Sequence, residues 1–203
     1  MTRRWLTRAA LTIAASVGLL GCSAAMAPTA GHDEPLLALT DVAAQRVQLA
    51  DTDVAAQRVQ LADTVAAAKW GTDAPITDPT REQAVLDAVA TKLSIDPVLA
   101  RAVFTDQIEA NKAVQYGLYA HWRTHPDQAP TTRPELSQVR PILDHLTDQL
   151  LTGLTATQQL RADPSCAGRL AGARHRIEHT RHLDPLHDDA LTRALISICR
   201  QPG

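Results

Sequence analysis

The sequence predicts an all-α fold, a single-domain helical bundle of about six helices, on three observations. No window alternates apolar and polar residues for long enough to argue for a strand. The segments between prolines are rich in the helix formers Ala, Leu, Gln and Arg, and Asp-Pro pairs stand where helices should begin. The chain has 203 residues, 45% of them hydrophobic and 21% charged, enough for one buried core and unlike a disordered segment. A formal net charge of −2 gives no overall attraction for nucleic acid, so a function that needs cations must gather them locally. Arg outnumbers Lys by 17 to 3, so Lys69 in an apolar stretch is conspicuous.

Residues 1–27 are expected to be an export signal. Arg3, Arg4 and Arg8 precede the uncharged run from Ala9 to Leu20, which is too short to span a bilayer. Two processing sites overlap there. Leu19-Leu20-Gly21-Cys22 has the form of a lipobox, with the signal ending at residue 21 and Cys22 as the lipidated residue, and Ala25-Met26-Ala27 suits ordinary cleavage. Residues 28–36 are expected to be a flexible linker and 37–203 the helical domain, in an exported, envelope or secreted location.

Helix one is expected from about Leu37 to Trp70. Asp78 caps a second helix with Pro79 at its first position, ending near Leu93, and Asp96-Pro97 opens a third that continues to about Thr124. That third helix offers Val103, Phe104, Ile108, Leu118, Tyr119 and Trp122 to the core. Pro126, Pro130 and Pro134 mark a loop. A fourth helix should run from Ser137 to about Leu160, with Pro141 tolerated in its first turn. Cys166 to Leu183 and Pro185 to Arg200 then form a hairpin with Cys166 and Cys199 at the same open end. If Cys22 is lipidated, these two cysteines remain as a pair in an oxidising compartment and should bond; two buried thiols are the alternative.

Residues 41–52 recur identically at 53–64, a tandem duplication within helix one. Twelve residues advance a helix by about 120° past whole turns, so the copies present different faces. Arg58 and Lys69, eleven residues apart, fall within about 20° of each other, whereas Arg46 lies about 140° from Lys69. The second copy is therefore the better placed, and the first reads as an insertion.

The chemistry follows from that face. Arg58, Lys69 and Arg81, with Gln107, Asn111 and Gln115 recurring every fourth residue on helix three, form a set suited to an anion. The chain carries no Gly-rich phosphate loop, no Gly-x-Ser-x-Gly elbow and no His-Glu-x-x-His motif. By spacing alone, solvated surface cations explain the pattern better than a site does.

At these residues the sequence resembles the exported, all-helical chorismate mutases of the AroQ type. The resemblance rests on Ala55-Ala56-Gln57-Arg58, Val65-Ala66-Ala67-Ala68-Lys69-Trp70 and Pro75-Ile76-Thr77-Asp78-Pro79-Thr80-Arg81-Glu82. It continues through Ile95-Asp96-Pro97, Val103-Phe104-Thr105-Asp106-Gln107-Ile108, Pro164-Ser165-Cys166-Ala167 and Arg181-His182-Leu183-Asp184-Pro185-Leu186, in order over most of the chain.

What the resemblance implies is rearrangement of chorismate to prephenate, in the aromatic amino acid (Phe and Tyr) pathway, with no cofactor. Arg58 and Arg140 would bind the substrate carboxylates, Lys69 a carboxylate and the ether oxygen, and Gln115 the ether oxygen from the other side. Arg81 would join the cationic wall, Asp78 and Glu82 would meet the ring hydroxyl and its surroundings, and Asn111 falls where members carry a small polar residue. A homodimer is implied as well. Two departures stand out. Some members carry Glu at the Gln115 position, and Val85 sits where some place a Gln.

Competing readings concern other residues. His175, His179 and His182 near Glu178 share a helical face that permits a metal in principle, although Arg174, Arg176 and Arg181 surround it, so no metal site is expected. A mutase-like helical envelope lipoprotein, acting as a binding or scaffold module, is the alternative function. No nucleic-acid partner is expected, and membrane contact is expected only through Cys22.

Overall fold

The computed structural model describes residues 33–92 and 95–200. The export signal, Cys22 and linker residues 28–32 lie outside them. Seven α-helices follow one another: α1 (Asp33–Lys69), α2 (Pro79–Ala90), α3 (Pro97–Thr124), α4 (Leu136–Ala156), α5 (Gln158–Ala162), α6 (Cys166–Arg181) and α7 (Pro185–Ala194), with a 3-10 turn at Pro126–Gln128. Among the described residues there is no strand.

Three helices start as the Asp-Pro pairs predict. The Asp78 carboxylate accepts the Arg81 amide at 3.0 Å, Asp96 accepts those of Val98 and Leu99 at 2.7 and 2.9 Å, and Asp184 accepts that of His187 at 2.9 Å. Each satisfies amides that the first helical turn leaves free, and proline at the first position sacrifices no bond. Helix α1 ends at Lys69, and Gly71 in the turn that follows has a φ of 69°, left-handed backbone that glycine adopts without strain.

Helix α1 runs through the middle of the bundle and packs on α3, α4, α6 and α7. It can do so because Ala55, Ala56, Ala62 and Ala66 are fully buried and let its neighbours approach closely. Phe104, Leu150, Leu154 and Leu191 close the main core around Ala55 and Ala56, and Val59, Ala62, Ala110, Val114, Ala190 and Ala194 form a second cluster. Helix α2 packs on α3, so it flanks the bundle.

Several boundaries differ from expectation. Helix α1 begins at Asp33, so residues 33–36 are helical and not linker. The fourth helix is interrupted at the single residue Thr157, which separates α4 from α5; its buried hydroxyl bonds the Gly153 carbonyl at 2.7 Å and reaches Asp51 at 3.4 Å, and Arg161 donates to the Leu154 carbonyl. Helix α7 ends at Ala194, and residues 195–199 continue as turns. Val103, Phe104 and Trp122 are buried as expected, whereas Ile108, Leu118 and Tyr119 are half-buried. Cys166 and Cys199 are bonded, with Cα atoms 5.9 Å apart.

The first copy of the repeat is not looped out but packs as part of α1 and of the core. Ala44, Gln48, Asp51 and Thr52 are all buried. Gln48 accepts from Arg169 at 3.0 Å and donates to the Cys166 sulfur at 3.4 Å, while its twin Gln60 accepts from Arg181 at 3.1 Å. The two copies therefore hold opposite ends of α6. Asp51 lies against Gly153, where no Cβ could fit, and burial pushes its carboxyl up to about 7.

Candidate active site

One pocket of about 260 Å³ opens between α1, α2, α3 and α4. It sits just below the ~300 Å³ lower end for drug-sized ligands, which suits a small, compact molecule. The repeat's second copy and the residues after it supply Arg58, Val65 and Lys69 from α1. The turn before α2 and its first turns add Ile76, Asp78, Arg81, Glu82 and Val85; α3 adds Gln107, Ile108, Asn111, Lys112 and Gln115. Leu143, Asp144 and Thr147 close the wall from α4.

Arg58 is the fixed element. Its Nε donates to Gln107 Oε1 at 3.1 Å, and its Nη1 donates to the Leu143 carbonyl at 3.1 Å and to Thr147 Oγ1 at 2.8 Å. The guanidinium carbon lies 5.4 Å from the Phe104 ring centroid. Gln107 is itself oriented, since its Nε2 donates to the Ala194 carbonyl at 2.9 Å. Burial lowers the Arg58 pKa to about 10 and the charge of Asp144 opposes that shift, so the group remains cationic at neutral pH. Its Nη2 faces no protein acceptor and stays available to a carboxylate.

Lys69 donates to the Pro75 carbonyl at 2.8 Å from the next wall. Burial, then the charge of Arg81, hold its pKa below the ordinary value, against the pull of Asp78 and Glu82. On α3, Asn111 Nδ2 donates to the Arg58 carbonyl at 3.3 Å, and its Oδ1 accepts from Gln115 Nε2 at 2.7 Å. That chain sets the direction of the Gln115 carboxamide. Gln115 is 2% exposed, and its Oε1 has no partner. That orphan is an acceptor, so the Gln115 group able to meet an acceptor oxygen is the second N–H of Nε2, beyond the one given to Asn111.

Lining cations and a carboxamide can bind a dicarboxylate and donate to a neutral oxygen. The Thr147 hydroxyl in the lining donates to the Leu143 carbonyl at 2.8 Å and so has no base to activate it as a nucleophile. A type II chorismate mutase family model matches residues 52–116. The secreted chorismate mutase of Mycobacterium tuberculosis is 37% identical over 197 residues, covering 94% of this chain and 93% of that protein.

The chain belongs to the chorismate mutase family. The secreted chorismate mutase of Mycolicibacterium smegmatis is also 37% identical, over 92% of this chain and 99% of its own. A crystal structure of the chorismate mutase from Burkholderia phymatum aligns with a TM-score of 0.73 and 35% identity, over 78% of this chain and 99% of that one. The family match begins at Thr52, the last residue of the first copy, and so takes in Arg58 and leaves out Arg46.

Of the residues expected in a chorismate mutase site, Arg58, Lys69, Asp78, Arg81, Glu82, Asn111 and Gln115 line one pocket. Arg140 does not. It is exposed on α4, one turn before Leu143 and Asp144, with its side chain in solvent and not in the wall. Gln107 stood in the polar stripe without a role, and Lys112, Asp144 and Thr147 were missed. Lys112 had the same signal as Lys69, being one of three lysines, but its partner lies thirty residues away.

On the histidine face, His182 ends α6 in the left-handed region with φ 52°, Arg174 pairs with Asp188, and the described residues hold no group of three metal-capable side chains. Trp70 and Trp122 pack edge to face at 5.2 Å with Tyr119 beside them, as core.

Proposed function

We propose that this pocket converts chorismate to prephenate, an intramolecular [3,3] rearrangement in which an ether C–O bond breaks as a C–C bond forms. The observation that carries the reading is the convergence of Arg58, Lys69, Arg81 and Gln115 on one pocket. Such a reaction needs neither a covalent intermediate nor a proton transfer. The site need only bind the folded diaxial conformer and stabilise negative charge developing on the ether oxygen.

In this reading the free Nη2 of Arg58 takes one substrate carboxylate. Lys69 takes a carboxylate and the ether oxygen, and the second N–H of the Gln115 amide donates to that oxygen from the other side. Contacts that strengthen as charge develops raise turnover and not merely affinity. Arg81 adds to the cationic wall, Asp78 and Glu82 face the ring hydroxyl, and Asn111 aligns Gln115. Arg140 lies within about 40° of Asp144 and about 20° of Thr147 around α4, so its long side chain can fold over the mouth onto the second carboxylate.

An exported location belongs to the same reading, supported by the charged and apolar N-terminus and by the secreted relatives. Lipidation at Cys22 is the finer form of that proposal, tested by mass spectrometry of the protein from membranes. A homodimer belongs to the same reading only as what the family resemblance implies, and light scattering on the purified protein tests it.

The test of function is the loss of chorismate ultraviolet absorbance with purified protein lacking residues 1–27, with prephenate identified as product. Saturable turnover supports the reading. A folded, disulfide-bonded sample without turnover contradicts it and returns the scaffold module.

A further inference from the structure

Four cations line the pocket, Arg58, Lys69, Arg81 and Lys112, against the three carboxylates of Asp78, Glu82 and Asp144. Glu109, outside the lining, also meets Lys112, so with it counted the two signs balance, and without Lys112 a dianionic substrate would meet a net negative surround. Lys112 is the cation that keeps two neighbouring carboxylates compensated.

Its position is well defined. Lys112 projects from α3, its side chain is only 13% exposed, and its Nζ donates to Glu82 Oε2 at 3.1 Å and to Glu109 Oε1 at 2.5 Å. Glu82 belongs to α2, and its other oxygen accepts the Asp78 amide at 3.1 Å. One carboxylate thus ties the cap of α2 to a lysine of α3. Helix α2 packs on α3, so this pair fastens the wall that carries Arg81 and Val85.

We propose that Lys112 is a positioning residue for the reaction: it holds Glu82 and the α2 wall against α3 and cancels the Glu82 charge, so that the dicarboxylate substrate does not meet an uncompensated carboxylate. Lys112 does not touch the reacting atoms. Its removal leaves a carboxylate uncompensated beside an anionic ligand, which weakens binding more than it slows the chemical step. The inference rests on the mutase reading of this pocket.

A double-mutant cycle tests it, with Lys112→Met, Glu82→Gln and the pair combined, beside Lys112→Arg. Lys112→Met should raise KM for chorismate about tenfold and leave kcat within about twofold. In the Glu82→Gln background, whose own KM is the reference, Lys112→Met should change KM by less than about threefold, because the charge that needed cancelling has gone. Lys112→Arg should keep KM near wild type, since it keeps the charge. Circular dichroism and melting curves establish that each variant is folded.

An unchanged KM in Lys112→Met overturns the proposal. So does a rise that Glu82→Gln fails to relieve, which would make Lys112 a direct substrate ligand. Calorimetric titration with prephenate follows the same cycle without turnover. Affinities that follow the cycle in four inactive proteins would retain the Lys112 assignment while overturning the mutase reading, and a wild type that binds no prephenate would overturn both.

Discussion

Arg46 and Arg58 occupy the same place in two identical twelve-residue segments of one helix, yet Arg46 is exposed and Arg58 is 9% exposed, with three bonds holding it in the pocket wall. The offset of about 120° between copies accounts for the difference. One sequence thus serves two tasks, the first copy packing against α4 and α6 and the second facing the pocket.

This internal control gives the first prediction. Arg58→Ala should lower kcat/KM by about 10²-fold or more, since it removes a substrate ligand and also leaves Gln107 and Thr147 without their partner. Arg46→Ala should stay within about twofold. Equal losses in both would contradict the assignment of the second copy to the site.

The pH profile follows from Gln115, which does not titrate, and from Lys69, whose pKa burial and Arg81 lower. Activity should be flat from mildly acidic to neutral pH and fall on the alkaline side earlier than for a free lysine. Gln115→Glu should convert this to an acidic optimum, because only the protonated acid donates to an ether oxygen. A steep acidic limb in the wild type would count against the role of Gln115.

His187 governs a separate dependence, that of stability. It lies between Asp63 and Asp184, each at 2.8 Å, and the hydrogen bond to Asp63, with the further help of Asp184, raises its pKa from 6.5 to about 9 against the effect of burial. The folded protein holds this proton more tightly than the unfolded chain. Its contribution is therefore complete below 6.5 and is lost as pH rises through about 9. The melting temperature should fall across that window, and less so in His187→Gln.

How much of this the sequence disclosed depends on the range of the interactions. The starts of α2, α3 and α7 were legible because an Asp cap and a first-position Pro act within one turn. Arg58 and Lys69 were legible as a pair because eleven residues close three turns. The break at Thr157 was not, since Thr105, Thr147 and Thr152 make the same local hydroxyl bond without interrupting a helix. Nor was the Lys112–Glu82 pair, which joins two helices whose packing no local pattern states. Arg140 was placed by resemblance, and its side chain stands in solvent.

Replacing both Cys166 and Cys199 with Ser opens a loop of 33 residues, which should cost about 3–4 kcal/mol and lower the melting temperature by on the order of 10 °C. Neither cysteine lines the pocket, so kcat measured well below the melting point should be retained. A large loss of kcat in a folded double variant would mean that the bond positions the site.

The central claim is that Lys69 and its neighbours catalyse by stabilising charge on the ether oxygen, and chorismate turnover by Lys69→Ala beside wild type tests it most directly. The account predicts saturable wild-type turnover and a variant that folds normally but loses about 10²- to 10³-fold in kcat, the usual effect of removing one such donor. Comparable kcat in the two proteins would contradict it.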